Sequence, residues 1–544
     1  MSKDEAENSI VGGPSVPEGD PAGSASRGLR GKSARGAAWM ALQSLFALGS
    51  QSVVFFVLMA LLDPKDFGVV AAASVVMAFA GLIVGAGFGE ALVQRESVSD
   101  RTLSTAFWAM LAIALLVTGA VWAASAPLAV LLSAEGPGGE PAGHGPELLT
   151  WIIRVMSLTF VMTALQSVPT AVLQRTMNFR PLTVRTVAAN TVAAVAGVSA
   201  ALLGAGAWSL VIQQLSAGAV GAALLWTLTR WRPTIVFDRG EFAPLVRFSV
   251  SVLGLRALDT TNGKLEQFLL AGLLGQAALG LYVGGKKIVE QGTRVFYSTL
   301  GSVTLSSLSR IGKDRARLDG AMSYGVRVSL LAFGPVFAGL AAVAPDVMAI
   351  FGERWEPAAF VLQMACAIGL ARVVSFFPAV SLTAWGRPGA RVPVGIVGVG
   401  MSVAAFFIGA QWGIHGVAAA MAVRSWLMTP IGLFVARRVT RLDVRGYLSA
   451  WAPGLMCAAA VFGAVWAGGA SPWLEGAGAA ARLAALLPLG TLVGGAVGLS
   501  LCPRAVLDLA DAAGHIGPAS RASRVVRRVV ESMHPRLERT GAAL

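Results

Sequence analysis

Eight basic residues lie inside apolar stretches of this sequence, where a charged side chain is expensive to place. They are Arg154, Arg256, Lys264, Lys286, Lys287, Arg294, Arg372 and Arg424. At a lipid-facing helix centre each would cost about 2.5–3.5 kcal/mol on insertion scales. The acids in the same stretches are Asp259, Glu266 and Glu290, too few to pair with every cation. The excess predicts a cationic, water-accessible cavity that binds an anionic group.

The charged residues of two neighbouring apolar segments recur at helical spacing. Between residues 256 and 266 the positions are i, i+3 and i+10, with Gly263 at i+7, and between residues 287 and 294 they are i, i+3 and i+7. Each set therefore shares one face of a helix. Gly280 and Gly284 form a GxxxG pair, which predicts close approach of these two helices. Two interpretations stay open for the acids: ion pairs that join the helices, or carriers of a coupling proton or sodium ion.

Four of the cations have no acid close to them in the sequence, which favours positions facing the cavity. These are Arg154, Lys286, Arg372 and Arg424. Amide side chains also lie in apolar stretches, namely Gln43, Gln51, Gln213 and Gln214. Such amides more often join helices by hydrogen bonds, and contact with sugar hydroxyls is the alternative.

The composition indicates that membrane-spanning helices must position these residues. Of the 544 residues, 55% are apolar and 13% are charged, and the mean hydropathy is +0.68. Soluble domains carry about 25% charged residues, so this composition excludes a soluble protein. The net charge of +14 would indicate nucleic-acid binding in a soluble protein. In a membrane protein the side on which the cations lie is what matters, and we expect no nucleic-acid partner.

The hydropathy pattern predicts about fourteen transmembrane helices, because a span requires about 20 apolar residues. They are residues 36–62, 69–89, 104–132, 148–173, 184–203, 208–229, 248–274, 279–305, 322–351, 357–385, 392–410, 413–435, 447–467 and 479–501. An even number of spans places both termini on the same side. With cytoplasmic termini, 31 of the 43 Lys and Arg residues lie inside and two, Lys65 and Arg354, lie outside. This asymmetry follows the positive-inside rule.

Short sequence patterns recur in the same order 207–212 residues apart. Asp66-Phe67-Gly68 is echoed by Ala278-Leu279-Gly280, and Arg180-Pro181 by Arg387-Pro388. We therefore predict an all-α polytopic membrane protein with two pseudo-symmetric six-helix bundles plus two appended helices, as in transporters that move two halves about a central cavity. The predicted units are a disordered basic cytoplasmic N-tail (1–35), an N-terminal six-helix bundle (36–245), a C-terminal six-helix bundle (246–440), appended helices 13 and 14 (441–501) and a basic cytoplasmic C-tail (502–544).

Several motifs make the sequence similar to a known family. They are Asp66-Phe67-Gly68 after the first span, residues 89–95 (GEALVQR) after the second, residues 105–108 (TAFW) at the third, residues 206–211 (GAWSLV) at the sixth and Gly280-Leu281-Tyr282 at the eighth. Over about residues 36–500 the chain resembles Wzx-type oligosaccharide flippases and lipopolysaccharide or polysaccharide exporters, in the superfamily that includes multidrug extruders and the lipid II flippase. The resemblance implies transport of undecaprenyl-pyrophosphate-linked sugars across the bacterial cytoplasmic membrane for surface polysaccharide biosynthesis.

A cationic cavity suits the cargo that this resemblance implies. The basic residues would bind the pyrophosphate while the lipid tail stays in the bilayer, and replacing Lys286 or Arg256 by Ala is expected to abolish transport without preventing insertion. The expected partners are the lipid-linked oligosaccharide, anionic membrane lipid and polysaccharide polymerase or assembly proteins. Two other functions stay open: a drug or cation antiporter on the same fold, which needs acids in its cavity, and a membrane enzyme of polysaccharide assembly, which needs a large catalytic loop or a carboxylate cluster.

We expect no cofactor, no metal site and no enzymatic activity. Cys366, Cys457 and Cys502 form no CxxC motif, and the four His residues are scattered along the chain. Gly31-Lys32-Ser33 resembles the end of a phosphate-binding P-loop, but Ser26 stands where that motif requires a Gly.

Overall fold

The structure, a computed structural model, describes residues 46–505 except 48, 86, 96–97, 134–143, 312–313 and 504. Regular structure in this part of the chain is helical, and it contains no strand. The prediction of an all-α fold is therefore confirmed. The predicted N-tail and nearly all of the predicted C-tail lie outside the described residues.

Helices of very different length follow one another along the chain. They are α1 (Gly49–Leu61), α2 (Pro64–Val84), α3 (Phe88–Gln94), α4 (Asp100–Leu131), α5 (Pro146–Arg175), α6 (Phe179–Leu202), α7 (Trp208–Leu228), α8 (Arg239–Leu273), α9 (Gly275–Ile311), α10 (Arg315–Ala342), α11 (Ala344–Ile350), α12 (Ala358–Ala384), α13 (Arg391–Ala410), α14 (Gly413–Thr440), α15 (Val444–Ser449), α16 (Ala452–Gly469) and α17 (Ala479–Leu501). Short 3-10 turns lie at Glu353–Trp355, Pro388–Ala390 and Pro472–Leu474.

Eleven helical segments of the described chain are long and apolar enough to cross a membrane, with α2–α3 and α15–α16 each counted as one. The chain is therefore a multi-pass membrane protein. The described residues of the segments predicted as spans 1, 7 and 8 are mainly helical as well, but these segments are not among the eleven. The described part of α1 is short, and α8 and α9 contain the charged residues that lower their hydropathy. The count of fourteen therefore stays a prediction.

Local sequence signals begin several of these helices. The Asp238 side chain accepts a hydrogen bond of 2.8 Å from the Gly240 amide at the start of α8, and Asp314 does the same for the Arg317 amide of α10. These side chains satisfy amides that have no partner within the helix. Because Asp238 supplies the cap, α8 begins about nine residues before the predicted start of its span at residue 248.

The helices α2 and α9 pack closely because two glycines remove the side chains between them. A Cβ at Gly68 would overlap the Gln276 carbonyl oxygen, and a Cβ at Gly280 would overlap the Pro64 carbonyl oxygen. The two contacts are reciprocal, because Pro64 and Gln276 are 212 residues apart and so are Gly68 and Gly280. A local two-fold axis produces contacts of this kind.

The prediction that the GxxxG pair joins α8 to α9 is wrong. Gly280 faces α2, and a Cβ at Gly284 would overlap the ring of Trp355. The two glycines therefore serve contacts of α9 with α2 and with the Glu353–Trp355 turn. The division into bundles at residue 245 itself stays a prediction, although the reciprocal contact fits it.

We expect the variant Gly280→Ala to be less stable than the wild type. Its Cβ has no room beside the Pro64 carbonyl, and overpacking of this kind costs about 1–3 kcal/mol. Gly400→Ala is the matched control, because nothing lies within 4 Å of a Cβ there and a helical Gly→Ala change alone is stabilising by about 0.5–1 kcal/mol. Thermal unfolding of both purified variants measures the difference, and equal melting temperatures would contradict the contact.

Contacts at both ends of the molecule join α1–α3 to later helices. At one end Arg354 pairs with Asp63 at 2.9 Å, and the rings of Phe67 and Trp355 lie 5.4 Å apart. At the other end Arg95 of the α3 C-cap pairs with Glu241 of α8. The first end contains the segments that the charge pattern places outside, and the second contains those it places in the cytoplasm.

Candidate functional site

The centre of the candidate site is a buried ion pair between α8 and α9. Lys286 pairs with Glu266, and their side chains are 10% and 12% exposed. Tyr282, one turn before Lys286, donates a hydrogen bond of 3.1 Å to Glu266 Oε2, and the Lys286 ammonium lies 5.2 Å from the centre of its ring. Lys286, which the sequence favours as a cavity-facing cation, is therefore paired with an acid, because the turn between the helices brings Glu266 to it; its position facing a cavity stays a prediction.

Further charged side chains from four helices surround this pair. Electrostatic interactions join Lys286 to Lys264, Glu290, Arg372 and Arg424, and Lys264 to Lys287. We call these residues with Glu266 and Tyr282 the cationic cluster; its described members are Lys264, Glu266, Tyr282, Lys286, Lys287, Glu290, Arg372 and Arg424. It contains five basic and two acidic side chains, so its net charge is about +3 with ordinary protonation states.

Hydrogen bonds fix the direction of two cations of the cluster. Arg424 of α14 donates to the Gly398 carbonyl of α13 through Nε at 3.2 Å and Nη2 at 2.8 Å. Lys264 donates to Gln267 Oε1 at 2.9 Å. Neither bond neutralises the charge, because the acceptors are uncharged. Both side chains therefore keep their positive charge uncompensated by these contacts.

Arg256 lies apart from the cluster, beside a cavity between α2 and α8. It donates a hydrogen bond of 2.8 Å to the Gly85 carbonyl and pairs with Glu90 of α3. The cavity has a volume of about 290 Å³, and its lining includes Arg256, Thr260, Gly81 and Gly85. These described contacts of Arg256 join α8 to the α2–α3 turn. An ion pair of Arg256 within the α8–α9 hairpin stays a prediction, because the side chain of Asp259 lies outside the described residues.

The structure does not bring Arg154 into the cationic cluster. Its guanidinium donates to Ser125 Oγ at 2.9 Å and lies 5.2 Å from the ring centre of Trp151 and 6.0 Å from that of Trp122. Both tryptophans are exposed, and cation–π contact of this kind stabilises an arginine without an acid. The sequence favours a cavity-facing position for Arg154, but its described contacts place it beside exposed tryptophans instead.

Two more predicted site residues are not placed in the cluster by any described contact. Arg294 lies two turns beyond Lys287 on α9, and its side chain is exposed. The side chain of Asp259 lies outside the described residues, so its role as an ion carrier or ion-pair partner stays a prediction. Glu266 and Glu290, the other acids of that set, both belong to the cluster.

Sequence reasoning missed Arg185, which lies inside the predicted span 184–203 but was not included among the basic residues of the apolar stretches. It lies inside α6 and donates a hydrogen bond to Gln166 Oε1 of α5. The available signal was its position one residue after the predicted start of that span. Tyr282 was also missed as a site residue, although its i, i+4 spacing from Lys286 predicts that the two side chains meet on one face.

The cluster can bind an anion but offers no evident metal site. No group of three or more His, Cys, Asp or Glu side chains that could hold a metal ion occurs among the described residues. Buried lysines and arginines attract phosphate oxygens strongly, since little water screens them. The arrangement therefore suits a phosphate-bearing ligand with at least two negative charges.

Comparisons with known proteins relate the chain to one protein family. The sequence profile of the polysaccharide biosynthesis protein family matches residues 57–360. The succinoglycan biosynthesis transport protein ExoT of Rhizobium meliloti (strain 1021) is 30% identical over 322 residues, which are 59% of this chain and 63% of that relative. The lipopolysaccharide biosynthesis protein WzxC of Escherichia coli (strain K12) is 24% identical over 353 residues, covering 64% of this chain and 68% of that protein. The chain thus matches less than two thirds of the length of the succinoglycan relative.

A solved structure shares the fold over most of both chains. The lipid II flippase MurJ in an inward closed conformation superposes on this chain with a TM-score of 0.63 at 12% sequence identity. The aligned region covers 84% of this chain and 98% of the MurJ chain. At this identity the similarity concerns the fold alone. The chain therefore shares the fold of the lipid II flippase structure.

Proposed function

Because this chain belongs to the family of polysaccharide biosynthesis proteins, we propose that it is a flippase for lipid-linked oligosaccharide. It moves a polyprenyl-pyrophosphate-linked oligosaccharide across the bacterial cytoplasmic membrane for surface polysaccharide biosynthesis. The barrier that it lowers is the free energy of taking a charged pyrophosphate and many hydroxyls through hydrocarbon. The names of the two relatives support the substrate class, and the charge of the site supports its headgroup.

The observation that carries the proposal is the excess of positive charge in the cationic cluster. Five basic side chains face two acids there, so the cluster lacks counter-charge until an anion enters. A pyrophosphate supplies at least two negative charges and several acceptor oxygens, which Arg372 and Arg424 can engage through their planar guanidinium groups. The lipid tail need not enter the cluster, because it can stay in the bilayer.

Two other functions fit the site less well. A drug or cation antiporter on the same fold needs a cavity that attracts cations, and a cluster of net charge about +3 repels them. A membrane enzyme of polysaccharide assembly needs a nucleophile or an acid–base pair at the substrate. The acids of the cluster are Glu266 and Glu290, and Glu266 is already paired with Lys286. We therefore assign the protein to transport and expect no catalysed covalent step.

The contacts at the two ends suggest how the site is exposed to each side in turn. Opening one end requires the Asp63–Arg354 pair and the Gly68–Gly280 packing to separate, and opening the other requires the Arg95–Glu241 and Arg256–Glu90 pairs to separate. Alternating access requires that one set holds while the other opens. Glu266 and Glu290 are the described acids that can take up a coupling proton during this cycle.

Orientation and partners complete the proposal. The excess of basic residues at one side supports cytoplasmic termini, which places the Asp63–Arg354 pair outside and the Arg95–Glu241 pair inside. Basic residues at the cytoplasmic face would contact anionic lipid headgroups. The released oligosaccharide is a substrate for polymerase or assembly proteins on the outer side of the membrane.

Translocation by the purified protein in liposomes tests the proposal. Lipid-linked oligosaccharide with a fluorescent sugar is placed in both leaflets, and a membrane-impermeant quencher reports how much becomes accessible. Without the protein, the quencher should reach about half of the label, which is the share in the outer leaflet. With the protein present, we expect the quencher to reach nearly all of the label. Uptake of ethidium, an organic cation, is the parallel assay. Ethidium transport without movement of the oligosaccharide would contradict the flippase and favour the antiporter.

A further inference from the structure

A second polar cavity lies outside the cationic cluster, among helices α1, α2, α6 and α7. Its volume is about 320 Å³, and its polar lining consists of Ser50, Gln51, Asn190, Gln213 and Gln214. The remaining described lining residues are apolar, and none of the described lining residues is charged. The volume is at the lower end of the range of about 300–1,000 Å³ for small-molecule sites, which suits one saccharide unit. We call this cavity the amide pocket.

The amide pocket contains a buried donor without a partner. Asn190 Nδ2 is shielded from solvent and forms no hydrogen bond with the described residues. Buried polar groups in proteins are nearly always hydrogen-bonded, so an orphan donor beside a cavity indicates that a ligand supplies the acceptor. A metal or sodium ion cannot fill this role, because an N–H group repels it.

The packing of α6 against α7 positions the amide opposite Asn190. Asn190, Ala193 and Gly197 are spaced i, i+3 and i+7 and share one face of α6. A Cβ at Gly197 would lie 2.8 Å from the Cβ of Gln213. Because glycine has no Cβ, the first carbons of the Gln213 side chain can pack against α6 at this point. The Gln213 amide is thereby held at the cavity that Asn190 also lines.

The chemistry of the lining identifies the class of ligand. A primary amide presents both a donor and an acceptor, and a hydroxyl can accept from Asn190 while donating to a neighbouring amide oxygen. A pyrophosphate would find no cation among the described lining residues, and an acyl chain would leave the amides unpaired. An uncharged group with several hydroxyls satisfies the lining best.

We infer that the amide pocket binds a sugar of the cargo, separately from the cationic cluster, which binds the pyrophosphate. This inference rests on the proposed function and divides the headgroup between two sites. The cluster is built by α8, α9, α12 and α14, and the pocket by α1, α2, α6 and α7. One cargo molecule then contacts both predicted bundles, and the pocket rather than the cluster selects among glycans.

Binding measurements with two carriers test the division. Undecaprenyl pyrophosphate without sugar is compared with undecaprenyl-pyrophosphate-linked oligosaccharide extracted from the cells that make the protein, using full-length protein in detergent. We expect Gln213→Leu and Asn190→Leu to weaken binding of the glycosylated carrier about ten-fold, as loss of one or two well-formed hydrogen bonds does. Binding of the sugar-free carrier should stay within about two-fold of the wild type on the same energetic grounds.

Controls separate this result from misfolding and from failure of the proposed function. Gln411→Leu makes the same chemical change at an exposed residue and should bind both carriers as the wild type does. Without ligand, Asn190→Leu should melt no lower than the wild type, since it removes an unpaired buried amide. If Gln213→Leu and Asn190→Leu weaken binding of both carriers equally, or weaken binding of neither, the inference that the amide pocket binds a sugar is wrong. Wild-type protein that binds neither carrier would instead overturn the proposed function and the pocket with it.

Discussion

The double variant Arg372→Gln and Arg424→Gln is expected to bind undecaprenyl pyrophosphate about 100-fold more weakly than the wild type, or worse. Each guanidinium offers hydrogen bonds to charged oxygens, which contribute about 1.5–3 kcal/mol apiece, and every 1.4 kcal/mol is a factor of about ten in affinity. The substitutions lower the net charge of the cluster from about +3 to about +1. Translocation of the lipid-linked oligosaccharide in liposomes should fall with the affinity.

Two variants control for the structural effects of this change. Arg372→Lys with Arg424→Lys keeps the charge and loses only the planar geometry, so it should retain much of the binding. Arg154→Gln also removes an arginine from the apolar part of the chain, but it lies between Trp122 and Trp151 rather than in the cluster. It should bind the carrier normally. If Arg154→Gln loses as much affinity for the carrier as the double variant does, then any arginine in the apolar part of the chain contributes equally to binding. In that case the cluster is not the binding site.

The single variant Lys286→Met is expected to be the most destabilising change in the site. It leaves Glu266 buried and unpaired, and breaking a buried ion pair in this way costs about 3–5 kcal/mol. The double variant Lys286→Met with Glu266→Gln should recover most of the stability, because neither charge then remains. Tyr282 can still donate its hydrogen bond to the amide oxygen that the second substitution introduces. Thermal unfolding of the purified proteins measures both effects.

The neighbouring residue Lys287 gives the matched control for Lys286. It is only half-buried and has no ion-pair partner at short range among the described contacts, so Lys287→Met should unfold close to the wild type. A Lys286→Met protein that is as stable as the wild type would contradict the buried pair, and so would a double variant no better than the single one. The sequence alone leads to a different expectation, namely normal insertion of Lys286→Ala, because it does not show Glu266 beside Lys286.

The helices could be placed from the sequence because the bilayer sets their length and composition. The spans predicted at 208–229 and 479–501 are found as Trp208–Leu228 and Ala479–Leu501. The starts of α8 and α6 were placed too late, at residues 248 and 184, because each helix begins in a polar segment that hydropathy does not recognise as part of a span. Caps such as Asp238 mark such starts better than apolar runs do.

The partners of the site residues could not be predicted, because they depend on which helix faces meet. Helical spacing correctly assigns Lys286 and Tyr282 to one face, but Glu266 reaches them only through the turn near Gly275. Likewise, GxxxG indicates a close contact of α9 without specifying its partner, which proved to be α2 for Gly280. Arg256 could not be linked to Glu90 from the sequence, since 166 residues separate them.

The central claim is that the site recognises a pyrophosphate through its positive charge. Its most direct test is equilibrium binding of undecaprenyl pyrophosphate, undecaprenyl monophosphate and undecaprenol to the purified wild-type protein. The three lipids share one tail and differ only in headgroup charge. We predict affinities that fall in that order and that weaken with added salt. Equal affinity for all three lipids, unaffected by salt, would contradict the claim.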